Sequence, residues 1–549
     1  MKVRKNIRLL ALVLVFVMMF FSGCSTNNSK SEAKKTAWDV TDYNLSEVID
    51  KNGEFILNKL NNVKVSELKK GGDKKVIYHL GEPYLFHAMH LRIDHLQNAG
   101  LSNSKFKSTF EDGMRLVKES GYDTVILYLG WDRFYDGAKY DFTEIEYQYS
   151  IAKKYDLKIM WNWFGYDVCG FGGYRDWQLA NLEKYPPLKD ENGNVMYATG
   201  PADGRPIPDL SVQSFIDIEV EAIQQLCAWL NVNDTDRRTI GIQLENEPNH
   251  FEGGHGLWFS QYSSLKNLIN ELGRAVKEGP YSMITYTNLM ASGWDQIVEG
   301  RDFNAQVKGF IDLEYLDIVG YDMYTSKLYK GNLCISYIEQ GDNPHLMVEF
   351  GPCQWCVPGQ TNLLLSNGYG IGYYQLVLYN DKYPNSGGLY SFVNRENVFV
   401  LRDGSHHLGG DYNEYNGCLE VVASEFIVMN NSIKALSQLI AISANDDITY
   451  FNSAMMNSCD ENIEFFGKNF SFETNCAPDR YGATGLLIKE NDLTYYTYAS
   501  KTATITVEGG IKSASEGVYK NGKWVKTKEV KLVDGTLTYE AGKAYQFIV

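Results

Sequence analysis

Between residues 84 and 380, short apolar runs alternate with longer stretches of helical period. The runs lie at 84–91, 124–130, 158–163, 239–245, 282–288, 316–321, 345–349 and 370–379. Each is short and apolar enough for a buried strand. Between them lie segments such as 110–120 and 214–230, whose apolar residues recur at the spacing of one helix face. Strand–helix alternation repeated eight times predicts an α/β chain folded as a (β/α)8 TIM barrel, with its chemistry at the C-terminal ends of the strands. For the eighth place the run at 387–393 competes with 370–379. After about residue 435 the pattern shortens to alternating runs such as 493–498, 503–507 and 545–549. Asn521-Gly522 and Asp534-Gly535 punctuate this region as hairpin turns, which predicts a C-terminal all-β, sandwich-like domain over 435–549. Ahead of the first strand, helical spacing around 56–68 predicts a cap on the bottom or side of the barrel. The barrel domain with this N-terminal extension then covers 38–434.

The extreme N-terminus follows neither pattern. Lys2, Arg4, Lys5 and Arg8 precede an apolar run over 9–21 and the small pair Ser22-Gly23 before Cys24. A basic head, a short apolar core and small residues describe a secretory signal; a membrane-spanning helix needs about 20 apolar residues. Cys24 after Ser-Gly resembles a bacterial lipobox. The resemblance implies that 1–23 is a lipoprotein signal peptide, that Cys24 is lipidated, and that the protein sits on the extracytoplasmic face of the membrane. An ordinary secretion signal is the alternative. Residues 24–37 are polar, rich in Ser, Asn and Lys, and read as a flexible tether.

Charge and composition narrow the partners. A formal net charge of −16 argues against nucleic acid, whose phosphates demand a basic surface. The 38 Tyr and 10 Trp offer flat faces on which sugar rings can stack, although many serve as core. Cys353 and Cys356 form a C-x-x-C that reads as a local disulfide or as two free thiols. His406-His407 lacks any accompanying metal-ligand spacing and reads as an exposed pair, so neither metal nor other cofactor is expected.

The candidate chemistry lies at two strand ends. Gly241-Ile-Gln-Leu-Glu-Asn-Glu-Pro248 is an apolar run that ends in carboxylates and an amide, and Pro248 stops the strand. His345-Leu-Met-Val-Glu-Phe-Gly351 carries Glu349 at the equivalent place. Strands four and seven of an eight-membered ring face each other across its mouth. Two carboxyls about 5–5.5 Å apart, one protonated and one ionised, are what retaining cleavage of a glycosidic bond needs. Glu247 is then the acid/base, its value raised by apolar surroundings and Pro248, and Glu349 the nucleophile. Asn246 would donate to a sugar hydroxyl, and Tyr321 or Tyr324 would hydrogen-bond the nucleophile. Glu245, two residues earlier and deeper, reads as a supporting partner. His90, Arg92, Trp131, Asp132 and Arg133 are mouth residues by position, with a structural salt bridge or hydrogen bond as the alternative; Trp161, Asn162 and Trp163 form a candidate sugar platform with core packing as the alternative, and Trp355 is a candidate cap.

Asn246-Glu247-Pro248 together with Glu349 resembles the retaining glycoside hydrolases of clan A. Within that clan the chain is most similar to the family 35 and family 42 β-galactosidase-like enzymes. The opening strand Gly81-Glu-Pro-Tyr-Leu-Phe-His-Ala-Met-His90, the Gln243-Leu-Glu-Asn-Glu247 motif, and Gly165-Tyr166 with Cys169 and Gly172-Gly173 carry the likeness, over about residues 80–400. It implies an exported retaining β-glycosidase acting on an oligosaccharide or polysaccharide. Two departures set galactose itself apart: Gly170-Phe171 follows Cys169 where that family has Glu-Trp, and Pro248 replaces the family's tyrosine. A transglycosylase on the same scaffold and a non-catalytic carbohydrate-binding lipoprotein are the rival readings. No G-x-S-x-G elbow supports an esterase.

Overall fold

The computed structural model describes residues 36–549 apart from 72–73, 99–100, 167–174, 198–205, 249–256, 291–307, 324–342, 351–356, 375, 379–389, 394–397, 402–422, 453–459 and 475–481. Residues 40–549 form one compact unit. Within it eight parallel strands close into a barrel in chain order: β1 (His87–Leu91), β2 (Thr124–Gly130), β3 (Lys158–Phe164), β4 (Thr239–Leu244), β5 (Ile284–Met290), β6 (Ile318–Met323), β7 (Leu346–Phe350) and β8 (Gly370–Tyr373). The ring shuts where Ile371 of β8 lies opposite His87 of β1, and Tyr373 opposite Met89. The eighth place therefore belongs to the run that begins at Gly370. Its competitor forms Tyr390–Val393, in a separate small sheet with Val377–Leu378 and Val398–Leu401. Helices α1 (Asn103–Glu119) and α2 (Gln213–Asn233) supply two of the crossovers.

Inward positions of the barrel change character along its axis. Ala88, Ile126, Met160, Ile284, Leu346 and Val348 belong to one apolar cluster. Nearer the C-terminal ends, the buried inward residues are Asn162, Gln243, Asn288 and Asp322. The polar groups above this apolar floor are buried and so desolvated.

The segment before β1 corrects the sequence expectation. Of residues 56–68 only Leu57–Lys59 is helical, as a single 3-10 turn. The chain then runs as a three-stranded antiparallel sheet, Ser66–Gly71, Lys74–His79 and Glu82–Tyr84. Gly71-Gly72-Asp73 is a turn signal that favours a hairpin over a helix here. The position at the barrel's bottom is nonetheless the expected one: Ile77, Tyr84 and Phe86 join the interior cluster. Ser66 Oγ donates to the Ile240 carbonyl and accepts from Ile284 N at 2.8 Å.

In the C-terminal region a six-stranded and a four-stranded antiparallel sheet share one core. Phe451 from the larger sheet stacks on Phe472 from the smaller at 4.0 Å between ring centres. Both expected hairpin turns are present: φ is +54° at Asn521 and +71° at Gly522, and +49° at Asp534 and +73° at Gly535, as type I′ turns require. Helix α3 (Ala423–Ile442) runs through the expected domain boundary at 434/435 and packs against both Glu82–Tyr84 and Ser513–Lys520.

One buried carboxylate sets the start of β4. Asp234 Oδ1 accepts from Arg238 N at 2.9 Å and the Tyr149 hydroxyl at 3.0 Å. Its Oδ2 accepts from Thr239 N at 2.9 Å and the Tyr281 hydroxyl at 2.6 Å. Removing the carboxylate would strand four donors, three of them buried, at a cost typical of a broken buried charge network. Asp234→Ala should therefore lower the free energy of unfolding by about 3–5 kcal/mol, read as a fall of several degrees in Tm by circular dichroism. An unchanged Tm would remove Asp234 from the scaffold of β4.

Candidate active site

Strand β4 ends at Leu244, and the chain beyond it is no longer extended. Glu245 and Glu247 both take left-handed backbone, with φ of +60° and +44°, a conformation costing on the order of 1 kcal/mol for a side chain with a Cβ. This breaks the strand alternation and sends the two glutamates to different places. Glu245 accepts from Tyr166 N at 2.8 Å and meets the Glu219 carboxyl of α2, which itself accepts from Trp163 Nε1 at 2.7 Å. Burial, then the charge of Glu245, pushes Glu219 well above the usual carboxylate range. A Cβ on Gly165 would collide with both carboxyls, so this pair requires glycine there. Glu245 thus belongs to a separate carboxyl pair, not beneath Glu247 as its sequence position suggests.

Glu247 instead joins Asp322 of β6 and Glu349 of β7. Each offers a carboxylate oxygen, the three lie within 4.8 Å of one another, and all three residues are buried. Glu349 reaches this point through an irregularity. Leu346 and Val348 both belong to the interior cluster, so regular alternation would turn Glu349 outward. However, β7 carries one extra residue between Met347 and Phe350 relative to both neighbours. This bulge sets Glu349 opposite Asp322 and re-aims its side chain into the barrel.

An amide network holds the cluster. Asn288 Oδ1, from β5, accepts from Glu247 N at 2.9 Å and Gln243 Nε2 at 2.9 Å. Its Nδ2 donates to Asn246 Oδ1 at 3.0 Å and to Asp322 Oδ2 at 2.5 Å. Gln243 Nε2 also lies 3.1 Å from Asn246 Oδ1. The Asn246 oxygen is therefore fixed toward the network, which turns its amino end the other way, as a donor to a sugar would need.

Arg92, just past β1, supplies the positive charge. Its guanidinium binds Asp94 through two bonds of 2.9 and 2.7 Å and lies 5.0 Å from the Tyr128 ring and 4.9 Å from the Phe164 ring. Burial, followed by the charge of Glu247, raises Glu349 to about 8, and Arg92 opposes the rise. Burial and the charges of Glu349 and Glu247 push Asp322 well above the usual range. In the structure an upward push falls on Glu349 and Asp322. Arg92 opposes the rise of Glu349, while Asp322 faces the charges of both glutamates.

The other candidates divide. His90 is buried, with Nε2 3.1 Å from the Val348 carbonyl, and burial lowers it to about 3. Asn162 is buried inside the ring opposite Gln243, and neither end of its amide has a hydrogen-bond partner among the described residues. Trp163 is not a sugar platform. It lies outside the strands, fully buried, with Phe134 at 6.0 Å and Trp131 at 6.4 Å. Trp131 sits in the same aromatic cluster, edge-on to Tyr166 at 5.2 Å and Trp177 at 5.9 Å, and is likewise fully buried. Both rings pack behind the mouth because alternation along β3 gives the inward place to Asn162. Tyr321 is one residue out of phase with Asp322, and the place beside Glu349 goes to Asp322. Tyr324, Trp355, Cys24, Cys353, Cys356, His406 and His407 lie outside the described residues.

Sequence reasoning missed Asp322 and Asn288. Each ends an apolar run with a polar residue, the signal that identifies Glu247 and Glu349. Among the described residues the three carboxylates are also the one group close enough to hold a metal ion. Asp322 faces both Glu247 and Glu349, whose charges push it toward its protonated form.

No protein-family model matches the chain, and no curated protein matches it. Among solved structures it is similar to an α-amylase of Lactobacillus plantarum, at 9% identity and a TM-score of 0.43, over 84% of this chain and 98% of that one. It is similar to a β-galactosidase of the psychrophile Marinomonas ef1, at 10% identity and a TM-score of 0.41, over 66% of this chain and 61% of that one. A β-mannanase of Thermomonospora fusca in complex with mannotriose gives 13% identity and a TM-score of 0.38, over 66% of this chain and 97% of that one. These likenesses are distant, and the functional reading rests on the geometry of the barrel mouth.

Proposed function

We propose that this chain is a retaining β-glycosidase that cleaves an oligosaccharide or polysaccharide by double displacement. The observation that carries the reading is the approach of Glu247 and Glu349 to within 4.8 Å from opposite sides of a closed barrel mouth. That spacing suits direct attack by one carboxylate; an inverting pair stands about 6.5–9.5 Å apart to admit a water. Glu349 is the nucleophile: burial and Glu247 raise it to about 8, and Arg92 is the cation that opposes this rise and would stabilise its ionised form for attack. Glu247 gives a proton to the leaving oxygen and later takes one from water. Asn246 and Asn162 bind sugar hydroxyls. The likeness to family 35 and 42 enzymes makes β-galactosides the first substrates to try. Export with a lipid anchor at Cys24 is part of the same proposal, supported by the Ser22-Gly23-Cys24 pattern behind the apolar run.

Glu349→Ala should abolish turnover of aryl β-glycosides, and azide should restore part of it as a glycosyl azide of inverted configuration. Glu247→Ala should cost about 10²–10⁴-fold on poor leaving groups and far less on dinitrophenyl glycosides. Equal losses on both classes would overturn the assignment of roles. A panel of β-galactoside, β-glucoside, β-mannoside and α-arabinoside substrates identifies the sugar; silence throughout, with sugar binding intact, would favour the binding-protein reading. Transfer to sugar acceptors in place of water would favour the transglycosylase.

Stability offers a check independent of substrate. A carboxyl whose folded-state value lies above its unfolded value holds its proton longer in the folded state. Its contribution to folding therefore worsens as pH rises from the ordinary glutamate range, about 4.3, toward 8. Glu349→Gln should raise Tm at pH 8 and leave it unchanged at pH 4, with a gain of up to about 4 kcal/mol. Equal shifts at both pH values would show that Glu349 carries no such penalty. Labelling with radioactive palmitate in a Gram-positive host should tag the wild type and fail with Cys24→Ser; labelling of both would place the anchor elsewhere.

A further inference from the structure

The retaining mechanism needs two carboxyls, and the described residues bring three together at this mouth. Asp322 is fully buried, and only one of its oxygens has a donor: Asn288 Nδ2 binds Oδ2, while Oδ1 has no hydrogen-bond donor among the described residues. The Asn288 amide cannot turn over to change this, because its oxygen already accepts from Glu247 N and Gln243 Nε2. Oδ2 is therefore the carbonyl-like oxygen of Asp322, and Oδ1 is where a proton belongs. The groups facing Asp322 are Glu247 past β4, Glu349 on β7 and Tyr286 on β5, with Arg92 past β1 acting on Glu349. An ionised Asp322 would be a desolvated anion between two glutamates, whereas a neutral one can donate to Glu247.

On the reading of Glu247 as acid/base and Glu349 as nucleophile, we propose that Asp322 is a positioning residue that stays protonated and donates its Oδ1–H to Glu247, holding that side chain and stabilising its carboxylate once the catalytic proton has left. In the first step a Glu349 oxygen forms a bond to the anomeric carbon. The bond to the leaving oxygen breaks, and that oxygen's electron pair takes the proton of Glu247. The negative charge left on Glu247 then faces the Asp322 hydroxyl, a bond that strengthens as charge develops. In the second step water attacks the anomeric carbon, the ester to Glu349 breaks, and the water's proton returns to Glu247. The Asp322 proton is neither gained nor lost. The arrangement resembles the use of a carboxylic acid kept neutral by its apolar site so that it can donate. High burial pushes Asp322 in the required direction.

The test compares Asp322→Asn, which keeps a donor toward Glu247 and an acceptor for Asn288, with Asp322→Ala, which keeps neither. Difference infrared spectra at pH 7, which need no substrate, should show a carboxylic-acid C=O band in wild type that is missing from Asp322→Asn. On the aryl glycosides that wild type turns over, Asp322→Ala should lose about 10- to 100-fold in kcat/KM with poor phenol leaving groups. It should stay within about threefold for the dinitrophenyl substrate. Asp322→Asn should recover most of the loss and fold with the Tm of wild type or better. Absence of the acid band, Asp322→Asn as impaired as Asp322→Ala, or equal losses on both leaving groups would each overturn the proposal. So would wild-type activity abolished by a chelator and restored by a divalent cation, since the trio would then hold a metal. These outcomes are separable from failure of the underlying reading, which shows instead in Glu349→Ala without azide rescue.

Discussion

The carboxamide of Asn288 is the joint on which the barrel mouth depends. It has one accepting and one donating end, and the backbone of Glu247 together with Gln243 claims the first. The second must then face Asn246 and Asp322. Through one side chain the ends of β4, β5 and β6 are tied together at a level where the ladder between β4 and β5 has already ended, at Tyr286 opposite Gln243. Buried amides of this kind have few ways to be satisfied. A shift of any one partner would leave a desolvated donor or acceptor, so the geometry of the carboxyl cluster follows from the amide's asymmetry.

Gathering three carboxyls in a dry mouth opposes folding, and the surroundings offset this unevenly. Glu349 has Arg92 near it, but that guanidinium is already committed to Asp94 and lies against two aromatic rings. Its field is thereby reduced without being abolished, so it opposes the rise of Glu349 and does not reverse it. Asp322 has an amide donor, and the charges of both glutamates push it up. Two carboxyls with similar intrinsic acidity are thus separated by what stands beside each, and the same site can hold one as an anion and another as a neutral donor.

The barrel was legible because its signals are redundant. Eight apolar runs at repeating intervals identify strands even when their limits are uncertain by one or two residues, and closure follows from the alternation. Glu247 and Glu349 were legible because a charged residue ending an apolar strand stands out. Asp322 and Asn288 carry the same signal more faintly, within Ile-Val-Gly-Tyr-Asp-Met and Ile-Thr-Tyr-Thr-Asn, where neighbouring tyrosines and threonines blur the contrast. Trp131 and Trp163 were misplaced for a different reason: nearness to a strand end says nothing about which face a side chain occupies. Alternation from Asn162 settles it for Trp163, and the cluster around it then claims Trp131. The segment at 56–68 was misread because a few apolar residues fit two periods, and the turn signal after it decides between them.

What no pattern of residues discloses is how Glu247 and Glu349 come to face each other. A regular strand places alternate side chains on opposite faces, and Val348 already occupies the inward face of β7. The bulge between Met347 and Phe350 supplies the half-turn that brings Glu349 in as well. On β4 the left-handed residues at 245 and 247 do the corresponding work, separating two glutamates that alternation would stack on one face. Both devices weaken local pairing or strain the backbone, and both occur at the carboxyls. The identity of these residues proposes a chemistry, but the irregularity of the strands beneath them is what makes the chemistry geometrically available. A barrel with the same eight strands, the same glutamates and ideal pairing throughout would turn one of the pair into the packed layer behind the mouth.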